Sequence, residues 1–244
     1  TQPNTLFPYT TLFRSIWASA GDDAAGDTLV AQIAEAGVDT SRIRRIPGAR
    51  SAFSTILMDR TGHTIIVPQY DAALTAAPDD APDLTGFSAV MCDVRWPAGA
   101  ERALAAARDA SIPGILDADV GPEPVLARLA ELASHVVASE DAAKLLTGIA
   151  EPQASAGALA GRIGGFVTVT AGAGGCYWTD GDTVRHVPTT RVESIDTLAA
   201  GDVFHGGFAV GLVEGWPMDR TLRFASTAAA IKCTRFGGRL GCPT

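Results

Sequence analysis

Cysteine, positive charge and long apolar runs are all scarce in these 244 residues. The four cysteines, Cys92, Cys176, Cys233 and Cys242, are scattered, with no Cys-x-x-Cys pair. That spacing argues against a disulfide framework and reads as reduced thiols of a cytoplasmic protein. No His or Cys sits at the spacing of a structural metal site. Lysine and arginine total 19 against 27 aspartate and glutamate, a net charge of −8. An acidic chain is a poor partner for nucleic acid or an anionic membrane. An anionic substrate stays open, because helix N-termini bind anions without basic side chains. No apolar run reaches the roughly 18 residues of a membrane span, and the first residues lack a signal-peptide pattern. What is abundant is apolar side chain, 47% of residues. That is enough for a sizeable core in one large α/β domain or two small ones.

The most informative stretch runs from Asp196 to Phe208, Asp-Thr-Leu-Ala-Ala-Gly-Asp-Val-Phe-His-Gly-Gly-Phe. Phe204, Phe208 and Leu212 recur at i, i+4 and i+8, one face of a helix that starts near Ala199. The first N–H groups of such a helix have no partner within it and attract anions. Ala199, Ala200 and Gly201 carry no bulk, so a phosphate can approach the backbone. Asp202 then falls in the first turn. A carboxylate repels phosphate there, so its presence points to chemistry, the removal of a proton from an attacking hydroxyl. His205 reads as a partner of the helix or loop, since Asp202 already holds the base position.

Upstream, Asp22 or Asp23 is a good N-cap for a helix whose face is Leu29, Ile33 and Ala36, ended by Gly37. Residues 49–59 and 63–70 are rich in Phe, Ile, Thr and Val around Arg60-Thr61-Gly62, a hairpin pattern. The stretch from Tyr70 to Pro82 reads as an irregular, exposed loop. From Ser88 onward strands and helices alternate, which implies a parallel sheet with helices on its faces. Strands are expected at 89–92, 114–116, 135–138, 166–170 and 176–178, and helices at 101–110, 124–134 and 222–233. Arg95 follows the first of these strands, at the end where open α/β sheets bind ligands. Asp117 and Asp119 read as strand-end caps rather than metal ligands.

The stretch from Asp196 resembles the second signature of the ribokinase-like (PfkB-type) carbohydrate kinases, Asp-Thr-x-Gly/Ala-Ala-Gly-Asp-x-Phe. Thr170-Ala-Gly172-Ala-Gly-Gly175 resembles that family's nucleotide turn. Lys232-Cys233-Thr-Arg-Phe-Gly237-Gly resembles the segment lining the adenine pocket in its ketohexokinase and sulfofructose kinase branch. The resemblance implies an α/β fold, a three-layer α/β/α arrangement with a mostly parallel central sheet and a small β lid at about 49–70. It implies transfer of the γ-phosphoryl group of ATP to a hydroxyl of a sugar, with Mg2+ accompanying ATP. Asp202 would be the base and Ala199, Ala200 and Gly201 the anion hole. Thr170, Gly172, Gly175, Ala230, Cys233 and Gly237 would bind nucleotide, and Arg95 would bind substrate. Asp196 would be near a monovalent cation such as K+ where the family uses one. The lid would form a homodimer contact. Ser139 and Ala142 stand where many relatives carry Asn and Glu that organise magnesium, a departure that weakens the case for a magnesium-organising carboxylate there, although ketohexokinase-like relatives show a similar Ser-x-Asp form.

Thr5–Ser15 back-translates without mismatch into a common short-read sequencing adapter. Residues 5–15, and with them Thr1–Asn4, therefore read as translated library sequence, with the kinase domain spanning 16–244; a natural apolar segment is the alternative. The family's first strand and sugar-binding Asp have no match before Ile16, and one further helix usually follows the last motif. An inactive fragment of such a kinase, or a nucleoside kinase of the same fold, stays open beside the sugar kinase.

Overall fold

A computed structural model describes residues 15–58, 64–181 and 183–243. Of the adapter-like stretch only Ser15 falls among them, and the Arg60-Thr61-Gly62 turn lies outside them. The described chain forms two compact units, one through Asp79 and one from Asp80 to Pro243.

In the first unit, strand β1 (Ala18–Gly21) leads into helix α1 (Ala24–Glu35). Asp23, not Asp22, is the N-cap: its Oδ1 accepts from Gly26 N at 2.8 Å. Ser51 also donates to Asp23, through its hydroxyl at 2.7 Å and its amide at 3.0 Å. Those bonds from Ser51, then the one from Gly26, hold the Asp23 carboxyl down at about 2. The anchor is thus intact above 3.8 and is lost as pH falls toward 2. Ser51 is buried against this cap. The Leu29 face of α1 is not buried; Gly26 is the only buried residue of that helix.

Strand β2 (Ile43–Ile46) pairs parallel with β1. Its Arg44-Arg45 centre hid it from an apolar-pattern reading. Strands β3 (Phe53–Met58) and β4 (Thr64–Gln69) pair antiparallel, Phe53 opposite Gln69 and Met58 opposite Thr64, as the hairpin pattern requires. The loop after it is less irregular than expected. Asp71 caps a 3-10 turn at Ala72–Thr75 that buries Leu74.

The second unit alternates as the pattern requires: β5 (Val90–Cys92), α2 (Pro97–Asp109), β6 (Gly114–Ala118), α3 (Glu123–Leu132), β7 (His135–Ser139), α4 (Glu140–Thr147), α5 (Pro152–Ile163), β8 (Phe166–Thr170). Then come β9 (Cys176–Thr179), β10 (Arg185–Val187), α6 (Ala200–Val213) and α7 (Met218–Cys233). The sheet order is β10-β9-β8-β7-β6-β5, with β5 to β8 parallel and β8, β9 and β10 antiparallel. Side chains alternate across it. Leu116, Val136 and Val167 pack with Leu104, Leu126, Leu129 and Leu159 of α2, α3 and α5 on one face. Ile115, Val137, Cys176 and Trp178 pack with Phe204 and Phe208 of α6 and Leu222 and Ala225 of α7 on the other. Both faces are covered, which a parallel sheet requires. Phe204 and Phe208 are buried as their spacing predicts.

Candidate active site

The parallel strands end at Cys92, Ala118, Ser139 and Thr170, along one edge of the sheet. Asp93 accepts from Arg95 N at 2.9 Å, which turns the chain after β5. The Arg95 guanidinium then pairs with Asp119 Oδ2 at 2.9 Å and donates to Val120 O at 3.0 Å. Ser139 donates to the other oxygen of Asp119 at 3.5 Å and caps α4 through Ala142 N. Arg95, expected to bind substrate, is paired with Asp119 in this structure. The pair is exposed, and exposed pairs contribute about 0–1 kcal/mol, so an anion can compete for the guanidinium.

Helix α6 starts one residue after Ala199, whose backbone is left-handed at φ 63 and ψ 14. For a residue with a Cβ that conformation costs roughly 1–2 kcal/mol. Ala199→Gly relieves it at the cost of unfolded-chain entropy, so stability should rise by up to about 1 kcal/mol, read as a higher thermal midpoint. Ala200 N donates to Thr197 O at 3.1 Å, and Val203 N to Ala199 O at 3.1 Å. Ala200, one of the three amides expected to bind anions, is thus engaged in a turn. The amides of Ala199, Gly201 and Asp202 have no acceptor among the described residues. The Asp202 side chain lies exposed beside them in the first turn.

Beneath Asp202 is a pair that sequence reading split between a strand cap and a loop partner. Asp117 is on the α6 side of β6, two residues after Ile115. His205 is buried, with Nδ1 2.7 Å from Gly201 O and Nε2 3.2 Å from both Val137 O and Asp117 Oδ1. A carbonyl only accepts, so a hydrogen on Nδ1 serves Gly201 O and one on Nε2 serves Val137 O. Asp117 Oδ1 lies within reach of the same Nε2. Burial pushes the Asp117 carboxyl up to about 6; His205 opposes this, and the charges of Asp202, Asp119 and Asp93 add to it. The folded state holds the Asp117 carboxyl proton more tightly than the unfolded one. This group therefore lowers stability as pH rises from 3.8 toward about 6.

Asp196 is a buried clamp. Its Oδ1 accepts from Leu198 N at 2.8 Å and its Oδ2 from Gly237 N at 2.8 Å. Ile195 N and Asp196 N donate to Cys233 O at 2.8 and 3.2 Å. The structure thus joins the loop before α6 to Cys233 and Gly237, two residues expected at the nucleotide. Gly237 N is spent on Asp196. The fully buried Lys232 places Nζ 2.9 Å from Asp196 O and 3.5 Å from Asp196 Oδ2. An ammonium therefore holds the oxygens that were expected to face a monovalent cation. The bonds from Leu198 and Gly237 and the charge of Lys232 outweigh burial and keep the Asp196 carboxyl below its ordinary value.

Between β8 and β9, Gly172–Gly174 forms a 3-10 turn closed by Ala171 N to Gly175 O at 2.8 Å. Thr170 is the last residue of β8 and donates to Ala138 O at 3.3 Å. Gly175 has φ 89, and a Cβ there would collide with Val187 O, so packing against β10 already requires a glycine at this position. Ala230 is buried and Cys233 half-buried at the end of α7.

A family profile described as pfkB family carbohydrate kinase matches residues 16–244. The chain belongs to the pfkB carbohydrate kinase family. This pfkB kinase is 27% identical over 236 residues to a ribokinase of Haemophilus influenzae, covering 92% of this chain and 76% of that one. It is 25% identical over 237 residues to a deoxyribokinase of Salmonella typhi, with the same coverage. A provisionally assigned ribokinase from Agrobacterium tumefaciens, known from its crystal structure, is 44% identical. It superposes with a TM-score of 0.91 over 97% of this chain and 80% of that one. The ribokinase of Thermotoga maritima, 23% identical, shares the fold at a TM-score of 0.79 over 97% of this chain and 82% of that one. The pfkB kinase therefore has the ribokinase-like α/β fold and is a phosphotransferase.

Proposed function

We propose that this pfkB kinase moves the γ-phosphoryl group of ATP to an alcohol of a small sugar, with Asp202 as base. The observation that carries the reading is an exposed carboxylate in the first turn of α6, next to three uncommitted amides. Asp202 accepts the proton of the hydroxyl, whose oxygen forms the new bond to phosphorus. The bond from phosphorus to the bridging oxygen breaks, and ADP leaves with the electron pair. The amides of Ala199, Gly201 and Asp202 hold the charge on the transferring group, where positioning and electrostatics dominate. Thr170, Gly172, Ala230 and Cys233 serve as the nucleotide wall. Magnesium arrives with ATP. Among the described residues no group of three His, Cys, Asp or Glu side chains is placed to hold a metal ion.

The relatives named above favour a pentose over the ketohexose that the tail motif suggested. The test is ATP-dependent product formation across ribose, deoxyribose, fructose and nucleosides. It is run on this chain with and without residues 1–15. A phosphorylated pentose is expected; no phosphorylated product from either protein would overturn the reading.

A second copy is the proposed partner of the β3–β4 hairpin. Phe53, Leu57, Ile65 and Val67 are exposed on one face, Ile56 and Ile66 on the other. Light scattering should show a dimer, and either Ile65→Glu or Ile66→Glu should give a monomer. A wild-type monomer at micromolar concentration would contradict the pairing.

A further inference from the structure

We infer that the ammonium of Lys232 takes the place of a monovalent cation beneath the α6 loop, so that this kinase works without K+. The inference rests on the kinase reading only for its effect on rate; the charge at Asp196 stands by itself.

The observations are local. Lys232 is at the end of α7, with 0% of its surface exposed. Its stem runs past Gly241, where a Cβ would sit 3.4 Å from Lys232 Cε and 3.1 Å from Arg235 O. Its head reaches Asp196 O at 2.9 Å and Asp196 Oδ2 at 3.5 Å. A buried ammonium is kept only where oxygen acceptors replace its water. The same oxygens are what a desolvated monovalent ion needs. Both carboxylate oxygens are further engaged by Leu198 and Gly237. An added ion would have to displace Nζ or sit against a like charge in a poorly screened place.

The position matters because Asp196 opens the Asp196-Thr197-Leu198 segment that delivers Ala199, Gly201 and Asp202. A fixed positive charge there favours negative charge at those amides, as a bound cation would. Unlike an ion, it cannot dissociate or be exchanged. Lys232 is thus a positioning and charge-supplying residue, not a catalytic one.

Two readouts independent of turnover test this. Thermal midpoints of the wild type in KCl and in choline chloride at equal ionic strength should coincide. Thallium NMR, with Tl+ as the K+ probe, should show no site-bound ion. Lys232→Met vacates the oxygens, so this variant should melt higher in KCl than in choline chloride and should bind Tl+. Its kcat should fall roughly tenfold in choline and recover in KCl. Lys232→Gln serves if the Met variant does not fold. Bound Tl+ or K+-dependent melting in the wild type would overturn the inference, as would variants indifferent to K+. Absence of turnover in every protein, with these melting and Tl+ results intact, would instead sink the kinase reading and leave the Lys232 assignment standing.

Discussion

Asp202→Asn should lower kcat by about 10²–10⁴-fold, leave the KM for ATP nearly unchanged and leave the thermal midpoint in place. The amide is the same size and keeps the helix first turn, but it cannot accept the hydroxyl proton. Because the side chain is exposed, its loss removes little packing. An effect confined to kcat is the signature of an interaction made in the transition state. The substitution also removes one of the charges that raise Asp117, so that carboxyl should titrate lower than about 6 in the variant. A shift of the Asp117 carboxyl signal in an NMR titration reads this directly. Near-normal turnover in the Asn variant would end the assignment of Asp202.

Asp196→Ala should be the most destabilising single change at the site, costing about 3–5 kcal/mol, as for a buried pair that loses one partner. Three groups are orphaned together. Lys232 keeps its carbonyl but loses its countercharge, and the amides of Leu198 and Gly237 lose their acceptor. Asp196→Asn preserves part of the hydrogen bonding without the charge and should fall between. Urea midpoints at neutral pH measure both. The sign with pH follows from the depressed carboxyl. The contribution is present above the ordinary aspartate value and is lost as pH falls below it, so wild type and Ala variant should converge in stability in strong acid. A cost under about 1 kcal/mol would show that the clamp is solvated.

The repeating strand–helix order from Ser88 was legible because apolar runs and turn residues alternate there, and the sheet has that order. The start of α6 was legible from three small residues before a Phe-x-x-x-Phe face. What escaped was decided by tertiary contacts. β2 is half arginine, and α5 is made mostly of small residues, so neither carries a strong apolar period. The Asp117–His205 pair joins residues 88 positions apart, across a sheet whose register no local pattern states. Lys232 did leave a trace. Leu222, Ala225, Ala229 and Lys232 recur at helical spacing, which puts the lysine on the inward face of α7. A motif reading of Lys232–Gly238 as adenine lining passed over it. Arg95 was placed at the right strand end, yet its pairing with Asp119 depends on a loop conformation. Ala200 was rightly put at the helix start, but the Thr197 turn that uses its amide is visible only in three dimensions.

The central claim is that the amides opening α6 hold the phosphoryl group while Asp202 faces the acceptor alcohol. The most direct measurement is a crystal structure with ADP, aluminium fluoride and the sugar that turns over. The account predicts fluorides about 2.7–3.1 Å from the amides of Ala199 and Gly201, and the sugar hydroxyl hydrogen-bonded to the Asp202 carboxylate. A metal fluoride bound away from the start of α6, with Asp202 turned to solvent, would contradict it.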